Sequence, residues 1–179
     1  IRQLEIVGLV EHAPYRGARA TYLSVDELHV VNDARVALES LAVRRTAERF
    51  DDELGRELEA ILDDLDAAYR DGDRAAVVHG NTRFHSRVAA GCGSPWLTRL
   101  VGQTLEVWER YSAAVLQVDR AEDTFTIEAK GHREILTACR AHDPAAAEEA
   151  LRRHLEVSKG IFERGAERSL AVGGSSNGR

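Results

Sequence analysis

Apolar residues recur at helical intervals along most of this chain, and polar or glycine-rich breaks separate the runs. "SVDELHVVNDARVALESLAVRRTAERF" opens on Ser24, has Glu27 three residues later as in a capping box, and carries Leu28, Val31, Ala34, Leu38 and Leu41 at helical spacing. In "DDELGRELEAILDDLDAAYRDGD", Leu54, Leu58, Ile61, Leu65 and Ala68 share one side and Gly72 closes the run. Asp73 is placed to cap a third helix reaching about Gly91. After "GCGS", Pro95 suits a first helical turn, and Trp96, Leu97, Leu100, Leu105, Trp108 and Val115 populate a long fourth helix. A fifth spans about Ala121 to Ala141, and a sixth starts after Asp143 with Pro144 in its first turn. Short links between six helices predict an all-α, antiparallel bundle. Its unit runs from 24 to 168, and the Gly/Ser-rich end, 169 to 179, reads as a disordered tail.

Residues 1 to 23 have a different pattern. "IRQLEIVGLVEHAPYRGARATYLS" reads as a helix end stopped at Gly8, then two short extended pieces joined by the turn-forming "PYRG". An isolated hairpin is marginally stable, so it needs something to pack on. The chain also opens on Ile1 inside a helical pattern, and it is therefore expected to be a piece of a longer protein.

The third helix breaks the apolar rule in an informative way. Val77, Val78, Phe84, Val88 and Ala89 form one stripe, and Asn81 and His85 fall inside it. Two further histidines repeat the anomaly. His132 lies three and four residues before Ile135 and Leu136, and His154 lies four after Ala150 and three after Leu151. Three helices thus each turn an imidazole inward. His12, His29, His79 and His142 do not share this placement.

Burying several neutral imidazoles together is costly unless each nitrogen finds a partner. A divalent metal removes that cost by taking one lone pair from each ring. Asn81 sits one turn before His85 and about 40 degrees around the helix, so its oxygen faces the same way. Three imidazoles with an oxygen donor suit zinc first, then nickel or cobalt, and suit magnesium or calcium poorly. The competing reading is three separately satisfied core histidines.

Composition narrows the field further. At 44% hydrophobic and 30% charged over 179 residues, the chain can bury a sizeable core. A formal charge of −6 gives no general affinity for polyanions, so any nucleic-acid surface must be local or lie outside this chain. No apolar run approaches membrane-spanning length. Two cysteines, Cys92 and Cys139, are too few for a disulfide framework and fit the cytoplasm.

Taken in order, these segments resemble the FCD effector-binding domain of GntR-family transcription regulators of the FadR subgroup. "DARVALESLAV" resembles the entry motif, with Arg35 followed four residues later by Glu39. "NTRFH" resembles the Asp-x-x-x-His segment, "GHREILTACRAHDPAAAEEALRRHLE" the paired-histidine C-terminal segment, and residues 1 to 23 the last helix and wing of a winged helix-turn-helix domain. The resemblance implies a bundle of six or seven helices around a cavity, with a divalent metal where a small organic acid binds. It also implies a homodimeric DNA-binding repressor that meets its operator through the full-length winged domain.

Carried over residue by residue, the metal ligands are Asn81, at the family's Asp position, with His85, His132 and His154. Arg35 is placed on the effector side, and Glu39 has a structural role. Arg2, Arg16 and Arg19 are the DNA-binding candidates. An amide in place of a carboxylate keeps the oxygen donor but deletes a charge. The site is therefore expected to hold metal less tightly and to favour an anionic effector, coupling the two binding events; the contrary expectation is a metal-free site in which the histidines, with Arg35, hold an anion directly.

Two other classes compete. Three histidines around zinc also suit a hydrolase of small substrates, but no general base is evident. Glu128, four residues before His132, is assigned to the surface or to the outer support of the site. The other alternative is a purely structural helical dimerisation module.

Overall fold

The structure is a computed structural model that describes residues 10–13, 17–20, 25–116 and 122–174, with side chains for 26–113 and 128–164. A small antiparallel hairpin, β1 (Val10–Ala13) and β2 (Gly17–Ala20), comes first, pairing Val10 with Ala20 and Glu11 with Arg19. Six helices follow among the described residues: α1 (Val25–Glu48), α2 (Asp52–Asp71), α3 (Arg74–Ala90), α4 (Pro95–Leu116), α5 (Glu122–Arg140) and α6 (Pro144–Gly174). Arg2 and Arg16 lie outside the described residues, and Arg19 falls on β2 without a described side chain. Helix α6 continues past the boundary expected at 168 as far as Gly174.

Local chemistry sets the helix ends. Asp51 accepts from the Leu54 N–H at 2.8 Å and starts α2, and Gly72 closes it in the left-handed region at φ 68°. One residue on, Asp73 accepts from the Ala76 N–H at 3.0 Å and starts α3, so two helices are joined by a near-minimal turn. Asp143 performs the same task for α6, accepting from the N–H groups of Ala145 and Ala146.

Helix α2 buries the stripe its sequence predicts, with Leu54, Leu58, Ile61, Leu65 and Ala68 all inside. These side chains meet Phe84 and Val88 of α3, Ile135 of α5 and Leu151 and Leu155 of α6 in one continuous apolar core. Each fully buried leucine there contributes roughly 1.5–3 kcal/mol of transfer free energy.

Helix α1 is different, and its register departs from the expected one. It packs against α3, α4, α5 and α6, which makes it the centre of the bundle. Its buried positions are Leu28, Asn32, Arg35, Glu39, Ser40, Ala42, Val43, Thr46 and Ala47, whereas Leu41 is 51% exposed and Val31, Ala34 and Leu38 are only half-buried. The stripe counted from apolar residues alone was rotated, because the middle of the buried face is polar. That face points at the three histidines.

Candidate metal and anion site

His85 comes from α3, His132 from α5 and His154 from α6, and all three are buried. Their ring centroids stand 5.3 Å (85–132), 5.1 Å (85–154) and 4.3 Å (132–154) apart. One nitrogen from each falls in a group whose members all lie within 4.8 Å of one another. The Nε2 atoms of His85 and His154 are 3.1 Å apart, and Nε2 of His132 is 3.0 Å from Oδ1 of Asn81. Phe84, fully buried, closes one side with its ring 4.7 Å from that of His132.

The tautomers follow from the partners. Glu39 accepts from Nδ1 of His85 at 2.7 Å, so that ring carries its proton on Nδ1 and presents the Nε2 lone pair inward. With no ion between them, Nε2 of His154 must then donate to His85, and Nε2 of His132 must donate to Asn81. Both choices leave a lone pair on Nδ1, and Nδ1 of His132 and of His154 are indeed buried without a partner. A cation at the meeting point reverses this, because every Nε2 can then offer a lone pair. Donors about 2.0–2.2 Å from one ion stand roughly 3 Å apart at right angles, which matches both observed spacings. The residues present therefore fit a divalent metal.

Electrostatics prepare the rings for that role. Burial, reinforced by the neighbouring rings and by the Arg35 charge, holds His132 and His154 well below the usual histidine range, so both are neutral near pH 7. Burial opposes the Glu39 charge, but Arg35 and His85 on either side outweigh it and hold the carboxyl at about 2. Glu39 is thus a fixed anion that orients His85.

Arg35 completes the chain from α1. Its Nε donates to Glu39 at 2.7 Å, and its guanidinium carbon lies 4.5 Å from the Trp108 ring centroid. The side chain is 1% exposed, yet both terminal nitrogens, Nη1 and Nη2, lack a hydrogen-bond partner. Two buried, unpaired donors on one planar fork are the geometry that a carboxylate satisfies bidentately.

Sequence reasoning placed four contributors poorly or not at all. Glu128 is mostly buried rather than on the surface, with Oε2 3.7 Å from Nε2 of His154. Burial pushes its carboxyl up to about 7, against the lowering effects of Ser158 and Arg35. Ser158 donates to Glu128 Oε1 at 2.6 Å, and its position four residues after His154 was the available signal. A methyl group on Gly131 would lie 2.5 Å from Nδ1 of His154, so the bare backbone lets α6 bring its ring against α5. Trp108, given only a place on the fourth helix, is core and carries Arg35 on its face. Trp96 is 72% exposed.

The FCD domain family profile matches residues 31–157, more than half of the chain. This chain belongs to the FCD domain family. It is 29% identical over 166 residues, 87% of this chain and 73% of the other, to the HTH-type transcriptional repressor GlaR of Escherichia coli K12. Its fold matches the structure of E. coli McbR/YncC with a TM-score of 0.83 at 18% identity, covering 91% of this chain and 81% of that one. A GntR-family regulator from Pseudomonas syringae pv. tomato matches with a TM-score of 0.70 at 21% identity, over 96% of this chain and 70% of that one. Of these proteins, GlaR is a transcriptional repressor and the P. syringae protein a GntR-family transcriptional regulator. No described helix is long and apolar enough to cross a membrane.

Proposed function

We propose that this FCD chain is the sensing part of a cytoplasmic, homodimeric transcriptional repressor of the FadR subgroup. It reads a small organic acid at a divalent metal centre. The ligands are His85, His132, His154 and Asn81, with zinc the first candidate and nickel or cobalt next. Arg35 receives the acid's carboxylate, and the hairpin β1–β2 is the wing of a DNA-binding domain whose Arg2, Arg16 and Arg19 approach the operator. The observation that carries the reading is a buried convergence of three imidazoles beside two unpaired guanidinium donors.

The chemistry assigns separate tasks. A bound metal would supply Lewis acidity toward an oxygen of the acid. Arg35 neutralises and orients the carboxylate through its free fork, with Trp108 holding the guanidinium in place. Glu39 keeps the His85 proton on Nδ1, and Phe84 excludes water from one side. Because α1 carries Arg35 and Glu39 and touches four other helices, a change at the site is felt by the centre of the bundle.

Elemental analysis combined with native mass spectrometry of the purified chain tests this directly. About one divalent ion per chain, lost in a His132→Phe variant that stays folded, is the expected result. A chain that neither retains nor takes up zinc, nickel or cobalt sinks the metal centre and leaves the dimerisation module as the better reading.

A further inference from the structure

We propose that Glu128 is the anionic protein ligand of the His85–His132–His154 centre, delivering from α5 the negative charge that Asn81 does not carry on α3. The inference rests on the metal reading above and adds a residue to it. Glu128 precedes His132 by four positions, so the two side chains share one face of α5 a single turn apart. Its side chain is only 13% exposed. One carboxylate oxygen is already fixed, since Oε1 accepts from Ser158 Oγ at 2.6 Å, and Ser158 is itself buried on α6 one turn beyond His154. The other oxygen, Oε2, stands 3.7 Å from Nε2 of His154, the same nitrogen that lies 3.1 Å from Nε2 of His85.

Those spacings suit one shared ion. Donors held about 2.0–2.2 Å from a metal are separated by roughly 3 Å at right angles and by more at wider angles. At 3.7 Å from Nε2 of His154, Oε2 already lies within the span that one ion bridges at a wide angle.

Charge gives the second argument. Glu39, the other carboxylate buried near the rings, is bridged between Arg35 and His85. Glu128 has no such bridge: its close ion-pair contact is with His154, and the Arg35 charge acts on it without a salt bridge among the described residues. A largely buried carboxylate with no cation in contact is costly. A divalent ion among the imidazoles provides the cation, while Ser158 holds the oxygen that faces away. The loaded site then carries one positive charge fewer than three neutral histidines and an amide would leave it. Metal retention no longer depends on an anionic effector.

The test uses the whole chain, stripped with a chelator and titrated with Zn(II) and Co(II) against a chromophoric competitor. The variants are Glu128→Gln, Asn81→Asp and the double variant. Glu128→Gln is expected to weaken Zn(II) binding about 10- to 100-fold or more, the range typical even of outer supporting groups. It should also alter the Co(II) visible spectrum, which reports the donor set. Asn81→Asp in the Glu128→Gln background should restore most of the affinity by returning a carboxylate from α3, a rescue that a merely misfolded variant would not show. Unchanged Zn(II) affinity and Co(II) spectrum in Glu128→Gln, with binding still lost in His132→Phe, overturns this inference and leaves the metal centre standing. Failure of the unaltered chain to bind either ion overturns both.

Discussion

Two interiors lie side by side in this protein, and they are held by different forces. Between α2, α3, α5 and α6 the interior is apolar, with Leu58, Leu62, Leu65, Ile135 and Leu155 nearly or wholly inaccessible. Around the middle of α1 the interior is polar, built from Asn32, Arg35, Glu39 and three histidines that are just as deeply buried. The first gains from area and tolerates a change of shape at constant volume. The second gains only from pairing, so each member protects the next, and removing one exposes the desolvation cost of the others.

The sharpest way to break the polar interior is Arg35→Met. Glu39 then loses its cation while still buried, and stability should fall by about 3–5 kcal/mol. Chemical denaturation measures this. A loss below ~1 kcal/mol would mean that the Arg35–Glu39 pair is not held as described. The apolar interior should answer in a graded way. Leu62→Ala is expected to cost about 2–5 kcal/mol, but Leu62→Met less than ~1.5 kcal/mol, and comparable losses in the two would contradict the tolerance attributed to this region.

Gly131→Ala probes the seam between the two interiors. The added methyl group would meet Nδ1 of His154 at 2.5 Å, and relieving that contact costs roughly 1–3 kcal/mol. Because the atom that must move is a ring nitrogen of the site, metal affinity should fall further than thermal stability does. Equal, small effects on both would separate Gly131 from the site.

Acid should distinguish the regions as well. His132 and His154 are held well below the ordinary histidine range in the folded state. The unfolded chain therefore takes up their protons first, and metal-stripped protein loses stability as pH drops below ~6.5. Glu128, pushed up to about 7, is protonated first in the folded state and offsets part of that loss. Glu39, held at about 2, adds a further loss below ~4.5. Thermal melts across pH 4 to 8 check the sign. Stability that rises steadily toward acid would refute the neutral assignment of the two rings.

The smallest effect concerns a thiol. Cys139 is fully buried and its pKa is pushed up to about 12, so it should resist alkylation at pH 8 until the chain unfolds. Rapid labelling of the native protein would show that this part of the core opens.

Much of the fold was legible because caps and apolar spacing act locally. Asp73, Gly72 and Pro144 announce their turns, and all five residues of the α2 stripe are buried, with Gly55 and Leu62 beside them. The α1 stripe was read wrongly because counting apolar positions assumes that burial follows hydrophobicity. Here Arg35 and Glu39 are buried because they satisfy each other and His85. The three histidines were visible as polar intruders on apolar faces. Glu128 shared those faces and was left between the surface and the outer support of the site, and Ser158 was not singled out, since spacing along one helix does not show what the next helix brings opposite.

What the sequence determined by itself was the set of helices, their ends, and three inward imidazoles. These depend on hydrogen bonds and side-chain periodicity within a few residues of one another. Only the tertiary structure decided that the rings meet, that Glu39 sets the proton position on His85, and that Arg35 keeps two free donors beside them. Those facts depend on distances between α1, α3, α5 and α6, and such distances are set when the whole bundle packs.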